Sequence, residues 1–283
     1  MAQQNNPEAD FLTFTLGRVL EKAGYKVEYI KTDYTAHFTA LELGDLDISA
    51  TAWTSTQELI DAAVKSGTVE DVGSTGLKIQ EGWWYPTYVE KVCPGLPNWE
   101  ALKAPACVEA LSTAEEPLKI QYIGTPADWA PHDEERVEAL GLQVNIVPSG
   151  TQPAMIAAMQ GAIQRKQPVI GFGLSPHWLY SSSEGKFVEF PAYEKACAED
   201  PSWGINPDKV WDCSLPSGSV DKLVYQDLKT KAPGAYEILK RYKITNEDIA
   251  KVTLEVEQQD KEVRDLADEW IANNEAIWSE WLK

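Results

Sequence analysis

The sequence predicts an α/β protein of two lobes, and three observations support this fold class. The chain has 283 residues, a length at which a single core stops growing, so two units of roughly 100 to 150 residues each are expected. Helical and strand-like hydrophobic patterns alternate along most of the chain. Two turn-rich segments, Cys93–Pro97 and Leu215–Ser219, are the predicted crossings between lobes. We therefore assign residues 1–89 and 217–283 to the first lobe and residues 90–216 to the second.

The first lobe opens with a helix followed by a strand. Phe14–Gly24 places apolar residues on one helical face and stops at a glycine, and Tyr25–Ile30 then alternates with the period of a strand. The pattern then repeats. The further predicted elements of this part are the helix Thr39–Leu43, the strand Ile48–Trp53, the helix Thr56–Ser66 and the extended segment Gly82–Val89.

The second lobe shows the same alternation, and the end of the chain reads as helical. The predicted elements are the strand Lys119–Ile123, the helix Asp133–Leu140, the strand Gln143–Val147, the helix Pro153–Arg165 and the strand Pro168–Phe172. The predicted C-terminal helices are Ala235–Tyr242, Asn246–Lys251 and Asp260–Leu282. Trp270, Trp278 and Trp281 recur at helical spacing in the last one, so we expect them to pack it onto a lobe.

The charge balance excludes several kinds of partner. Forty-four acidic and 25 basic residues give a net charge of −19, which opposes binding to nucleic acid and to anionic membranes. No run approaches the roughly 20 apolar residues needed to cross a bilayer. The first residues lack the basic and apolar regions of an export signal, so we expect a mature exported chain whose signal has been removed.

The four cysteines fall into two local pairs, Cys93 with Cys107 and Cys197 with Cys213, each closing a loop of about 15 residues. No Cys-x-x-Cys occurs and the chain has only three histidines, so two disulfides are favoured over a zinc site. Four cysteines allow three pairings. Disulfides would place the protein outside the cytosol.

Eleven tryptophans are the strongest functional signal, because several lie beside turn residues or carboxylates. Trp53 ends a predicted strand, Trp83 and Trp84 follow Glu81-Gly82, and Trp129 follows Asp128. An indole face attracts a cation by roughly 0.5 to 2 kcal/mol, so several rings together can hold a quaternary ammonium group. For Trp53 and Trp129 we favour a ligand site over a core position, since ligands of open α/β sheets bind beyond the carboxyl ends of strands.

Two loops of the second lobe carry polar groups suited to a zwitterion. Residues 124–134 follow a predicted strand, and Asp128, Asp133 or Glu134 could oppose a cation. Alternatively, Asp133 and Glu134 would favour the dipole of the following helix. Ser149-Gly150-Thr151 precedes a helix whose backbone N–H groups could receive an anion, with a simple N-cap by Ser149 or Thr151 as the equal alternative.

No motif indicates nucleophilic or nucleotide chemistry, because the chain lacks a Gly-x-Ser-x-Gly elbow and a phosphate-binding loop. Paired carboxylates of the glycosidase type stay open, since their separation is spatial and tryptophan platforms also suit sugars. A carbohydrate-active enzyme or sugar-binding module is therefore the alternative. A carrier of amino acids would usually need an Arg or Asp clamp, and the nearest arginine, Arg136, is expected on a helix face.

With these residues the chain resembles the substrate-binding proteins of ABC importers for glycine betaine, proline betaine, choline and trimethylamine N-oxide. The resemblance spans nearly the whole chain. It is carried by residues 20–27, by Gly44–Asp47, by Glu81–Tyr88, by Ser149–Thr151 and by residues 168–178, with Trp129 and the later cysteine pair.

The resemblance implies a periplasmic binding protein of type II-like fold, with two lobes and a hinge of two crossings. It implies no enzyme activity and no cofactor, but capture of a methylated onium compound, of the glycine betaine, choline, trimethylamine N-oxide or dimethylsulfoniopropionate class, by a monomer that delivers it to a membrane permease. Lobe closure would complete a cage of tryptophans. That cage would use Trp53, Trp83 or Trp84, and Trp129, with further rings from Trp178, Trp203 and Trp211. Many members have a Trp where this chain has Leu174.

Overall fold

The computed structural model describes residues 1–283 and contains ten strands and thirteen α-helices. No helix is both long enough and apolar enough to cross a lipid bilayer. The strands are β1 (Ala2–Gln3), β2 (Ile30–Lys31), β3 (Ile48–Trp53), β4 (Val69–Pro86), β5 (Pro94–Pro97), β6 (Ile120–Ile123), β7 (Val144–Val147), β8 (Ile170–Ser175), β9 (Gly185–Phe187) and β10 (Gly218–Tyr225). The helices are α1 (Pro7–Lys22), α2 (Ala36–Leu43), α3 (Gln57–Lys65), α4 (Pro105–Leu111), α5 (Asp133–Leu140), α6 (Gln152–Gln164), α7 (Trp178–Ser182), α8 (Lys195–Glu199), α9 (Leu228–Lys231), α10 (Pro233–Arg241), α11 (Asn246–Gln259), α12 (Val263–Asn273) and α13 (Glu275–Trp281).

The chain divides into two compact units. The first contains Met1–Ile79, Pro176–Trp178 and Ser217–Lys283, and the second contains Gln80–Ser175 and Leu179–Pro216. The first division falls within β4, after Ile79, whereas the sequence interpretation put the crossing after Val89. The two positions differ because β4 is one continuous strand, Val69–Pro86, whose residues are divided between the two units. The assignment of the units as hinged lobes stays a prediction.

In the first unit, β10 lies between β3 and the early part of β4 and is antiparallel to both. The helix α1 packs against α11, α12 and β3, and its buried face includes Phe11, Leu12 and Leu16. An asparagine, Asn6, caps this helix by accepting a hydrogen bond from the Ala9 N–H at 2.9 Å. This unit therefore has a mixed core of sheet and helices, as the α/β prediction requires.

In the second unit, the later part of β4 pairs with β8 in an antiparallel ladder, while β8, β6 and β7 are mutually parallel. The helices α5 and α6 connect the parallel strands. Because parallel strands end at the same edge of a sheet, the loops after β6 and β7 leave from a common edge. These loops hold Trp129 and Ser149–Thr151.

Both predicted disulfides are present, joining Cys93 to Cys107 and Cys197 to Cys213. The packing role predicted for the C-terminal tryptophans is also confirmed. Trp270, Trp278 and Trp281 are buried, and the rings of Trp270 and Trp281 stack at 5.9 Å between centroids.

Several predicted elements differ from the structure. The helix predicted at Phe14–Gly24 begins at Pro7, and the helix predicted at Asn246–Lys251 continues to Gln259. Of the strand predicted at Tyr25–Ile30, only the last residue pairs, because the partner strand β1 is two residues long and the Tyr29 ring instead packs edge-on against Phe14. The predicted helix Asp260–Leu282 is two helices, broken at Asn274, whose side-chain amide donates to the Trp270 carbonyl at 2.8 Å.

Candidate functional site

Within the second unit, backbone hydrogen bonds join the two loops that the sequence singled out. The Gly124 N–H donates to the Val147 carbonyl at 2.8 Å, and the Ser149 N–H donates to the Thr125 carbonyl at 3.2 Å. The loop after β6 and the turn after β7 are thus side by side. The structure brings together Trp129's loop and the Ser149–Thr151 turn, as a site for a zwitterion would need.

Trp129 ends a short turn, Ala127–Trp129, in which its N–H donates to the Pro126 carbonyl at 3.2 Å. Its half-buried ring meets the Phe172 ring edge-on at 6.0 Å between centroids. Immediately afterwards, Ala130 and His132 adopt left-handed backbone angles, φ 50° and 56°. Such strain in residues other than glycine persists only where the surroundings enforce it, and it concentrates at functional sites.

His132 covers one face of Trp211. The two rings stack at 3.9 Å between centroids with 7° between their planes, and Tyr193 lies at 6.2 Å from the same indole. Trp211 also has a left-handed φ of 66°. In the same disulfide loop the Trp203 indole N–H donates to Glu194 at 3.4 Å. The sequence pointed to both tryptophans but did not identify His132 or Tyr193 as ring partners, although His132 lies within the polar cluster.

Trp83 and Trp84 are packed inside the second unit, with exposed fractions of 1% and 2%. Trp83 stacks on Tyr122 at 4.3 Å and meets Phe190 edge-on at 5.4 Å. The ring of Trp84 lies against Gly185, where a Cβ atom would approach its indole to 1.7 Å. In this structure the two rings pack the interior of the second unit.

The Trp83 indole N–H donates at 2.7 Å to Asp133, whose carboxylate also pairs with Arg136 at 2.9 Å. Both charged side chains are buried. Burial raises the pKa of Asp133 to about 6, opposed by the Arg136 charge and the Trp83 hydrogen bond. Arg136 additionally donates from Nε to the Cys213 carbonyl at 2.8 Å. Arg136 lies on helix α5, as expected, but its side chain is buried and ties this helix to the disulfide loop.

The remaining polar candidates take different positions. Glu134 is exposed in the first turn of α5, and Asp128 is half-buried beside Trp129. Thr151 is the N-cap of α6, accepting from the Ala154 N–H at 3.3 Å, and Gly150 is exposed. Of the two residues predicted as possible N-caps, Ser149 and Thr151, the structure uses Thr151. The anion-binding role of this turn stays a prediction.

In the first unit, a hydrogen-bond network holds the backbone of Trp53 at the end of β3. The Trp53 N–H donates to the Tyr34 hydroxyl at 3.1 Å, that hydroxyl lies 2.8 Å from Thr56 Oγ1, and Thr56 Oγ1 donates back to the Trp53 carbonyl at 3.0 Å. The ring is 7% exposed. Tyr34 was not a predicted site residue, since a tyrosine in a turn carries no distinctive spacing.

Also in the first unit, α11 holds the segment Pro176–Trp178. The Trp178 N–H donates to Thr253 Oγ1 at 3.1 Å, and its indole N–H donates to Glu257 Oε2 at 2.5 Å. His177 is fully buried, with Nε2 at 3.1 Å from Glu257 Oε1. Trp178 itself is half-buried. Leu174, where many members of the resembled family have a tryptophan, is a buried residue of β8.

Sequence comparisons identify relatives along the whole chain. The family model described as the substrate binding domain of ABC-type glycine betaine transport systems matches residues 1–273. A trimethylamine N-oxide-binding protein of Pelagibacter ubique (strain HTCC1062) is 28% identical over 281 residues, covering 96% of this chain and 86% of the relative. The glycine betaine/carnitine transport binding protein GbuC of Listeria monocytogenes serotype 1/2a (strain 10403S) is 27% identical over 128 residues, covering 45% of this chain and 36% of the relative.

Solved structures show the same fold. Lactococcal OpuAC, in a closed conformation with glycine betaine, matches with a TM-score of 0.75 at 19% identity and covers 100% of this chain and 98% of its own. The Borrelia burgdorferi protein ProX matches with a TM-score of 0.79 at 19% identity, covering 100% and 95%. A choline-binding protein of an ABC transporter, in complex with choline, matches with a TM-score of 0.76 at 14% identity, covering 99% and 91%.

Proposed function

Because this chain belongs to the family of substrate-binding domains of ABC-type glycine betaine transport systems, we propose that it captures a small methylated onium compound outside the cytoplasm and delivers it to the permease of an ABC importer. The family match over residues 1–273 is the observation that carries this proposal. The carbohydrate alternative has no support among these relatives. We also expect a monomer without catalytic activity.

Three tryptophan faces are the proposed cation contacts, those of Trp53 and Trp178 in the first unit and that of Trp129 in the second. Trp53 is the last residue of β3, Trp129 lies in the loop after β6, and Trp178 begins α7 shortly after the end of β8. Ligands of α/β sheets bind beyond such strand ends, which supports a ligand-binding role for each of these rings. A methylated onium group offers no N–H donor, so ring faces are its main source of attraction.

The buried tryptophans and the disulfide loop support this site in our proposal. Trp83 and Trp84 pack the sheet that carries the loop of Trp129, and Asp133 ties that packing to Arg136. Trp211, stacked on His132, and Trp203 lie in the disulfide loop that Arg136 anchors. Those two rings would border the ligand rather than enclose the cation.

The opposite end of the ligand is assigned to the turn Ser149–Thr151. The helix α6 has thirteen residues, and backbone N–H groups at a helix N-terminus receive carboxylate or other anionic oxygens. Asp128, directly before Trp129, would instead oppose the positive charge. Trimethylamine N-oxide is the first candidate ligand, because the relative that is matched along 96% of this chain is named for it.

Calorimetric titration with trimethylamine N-oxide, glycine betaine, choline and dimethylsulfoniopropionate tests this proposal. We expect saturable one-to-one binding of at least one of the four, because all present a methylated cation to the rings. Glucose and maltose serve as matched neutral controls for the carbohydrate alternative, and neither should bind. Binding of a sugar without binding of any onium compound would overturn the proposed function.

A further inference from the structure

One face of α11 holds Trp178 at two points. Thr253 and Glu257 are four residues apart on this helix, so their side chains lie on the same face. Thr253 accepts from the Trp178 backbone N–H at 3.1 Å, and Glu257 accepts from the indole N–H at 2.5 Å. The backbone and the ring edge of the tryptophan are therefore both fixed by the same helix.

The carboxylate of Glu257 divides its two oxygens between two rings. Oε2 accepts from the Trp178 indole, and Oε1 lies 3.1 Å from His177 Nε2. The same nitrogen is 3.8 Å from Glu8 Oε1, and the three ionisable side chains of this cluster are at most 8% exposed. Rotation of the Glu257 carboxyl group would break its contact with Trp178 or with His177. This cluster therefore fixes the orientation of the indole.

We propose that Glu257 is a positioning residue for the onium cation, acting through Trp178. This inference rests on the proposed function, because it requires the Trp178 face to contact the ligand. A carboxylate that accepts the indole N–H places negative charge at the ring edge and makes the π face more attractive to a cation. In a poorly hydrated environment that added attraction is only weakly screened.

The geometry separates this role from that of a direct countercharge. Both oxygens of Glu257 face ring nitrogens of Trp178 and His177, so the carboxylate reaches the ligand through the indole and not by its own contact. The effect of Glu257 on affinity should therefore depend on the presence of the indole. A group that served only to stabilise α11 would show no such dependence.

A double-mutant cycle measures this dependence. Glu257→Gln keeps the size and an acceptor oxygen but removes the charge, and we expect it to raise the Kd of the onium ligand about fivefold to tenfold. In the Trp178→Phe background, whose ring lacks the N–H, the same substitution should change the Kd less than about twofold. The probes are trimethylamine N-oxide, glycine betaine and choline, measured by calorimetry on the full chain.

A spectroscopic measurement tests the contact without any ligand. The indole N–H proton resonance of Trp178, assigned by its disappearance in Trp178→Phe, should move upfield in Glu257→Gln because the charged acceptor is lost. Glu255→Gln is the matched control, since Glu255 pairs with Lys261 at 3.0 Å and lies on the other side of α11. It should change neither the resonance nor the Kd.

The outcomes separate this inference from the proposed function. Equal weakening by Glu257→Gln with and without the Trp178 indole, or no weakening at all, would overturn the inference while leaving onium binding intact. Failure of the unaltered chain to bind any of these three probes or dimethylsulfoniopropionate would overturn the proposed function and the inference with it. If Glu257→Gln does not fold, Glu257→Asp, which withdraws the carboxylate from the indole, serves in the same cycle with the same expected coupling.

Discussion

Replacing Trp129 by alanine is expected to weaken binding of the onium ligand roughly fivefold to thirtyfold. One desolvated contact between a cation and an indole face contributes about 1 to 2 kcal/mol, which corresponds to this change in Kd. The half-buried ring lies in a strained loop that keeps it at the end of β6. Isothermal titration with the tightest of the four onium compounds measures the effect.

Two conservative variants sharpen this prediction. Trp129→Phe keeps an aromatic face with a weaker quadrupole, so its loss of affinity should be smaller than that of the alanine variant. Trp99→Phe is the control. The Trp99 ring is buried beneath the Lys103 ammonium group and has no proposed role in binding, so this substitution should leave the Kd unchanged. Wild-type affinity in Trp129→Ala would remove this residue from the site.

The substitution Arg136→Met is expected to reduce the free energy of unfolding by about 3 to 5 kcal/mol. It leaves the Asp133 carboxylate buried without its cationic partner, and breaking one side of a buried ion pair costs about this much. It also removes the hydrogen bond to the Cys213 carbonyl, which anchors the disulfide loop. The midpoint of urea unfolding, followed by tryptophan fluorescence, reports the loss.

The loss of stability caused by Arg136→Met should depend on pH in a defined direction. Burial raises the folded-state pKa of Asp133 to about 6, above the ordinary value of 3.8, so the folded state binds more protons than the unfolded state between these values. Stability from this group therefore falls as pH rises through that window. Without Arg136 this fall in stability with rising pH should be steeper. The Arg136→Met variant should therefore be less destabilised at pH 5 than at pH 8.

A second substitution isolates the uncompensated charge as the cause. Asp133→Asn combined with Arg136→Met leaves no buried charge, so the double variant should recover part of the lost stability at pH 8. A penalty of equal size at pH 5 and pH 8, with no recovery in the double variant, would show that packing of the Arg136 side chain and not the charge of Asp133 explains the effect.

Local patterns predicted the helices and strands whose hydrophobic period is regular. The strand ending at Trp53 and the helix ending at Leu140 match the structure closely. The first half of β4 was missed, because Gly73 and Gly76, with φ of 89° and 96°, interrupt its alternation. The strand β10 was also missed, since its place between β3 and β4 depends on pairing over a long separation that no local pattern encodes.

The site was only partly predictable for a similar reason. An indole beside a turn looks the same in sequence whether its face is open or packed, so Trp83 and Trp129 could not be ranked. The structure separates them, because Trp83 stacks on Tyr122 and bonds to Asp133 whereas Trp129 is half-buried. The partners Tyr34 and Glu257 lie far along the chain from the tryptophans that they hold, and spacing alone does not reveal them.

In the proposed function, tryptophan faces bind the ligand through its positive charge. The most direct test takes the onium compound that binds most tightly and compares it with the analogue in which carbon replaces the onium atom, by calorimetric titration of the same protein sample. The pairs are choline with 3,3-dimethyl-1-butanol, glycine betaine with 3,3-dimethylbutanoate, trimethylamine N-oxide with tert-butanol, and dimethylsulfoniopropionate with 4-methylpentanoate. We expect the onium compound to bind at least about tenfold more tightly, since the shape is nearly equal and the analogue lacks the cation–π attraction. Equal affinity for the two compounds would contradict it.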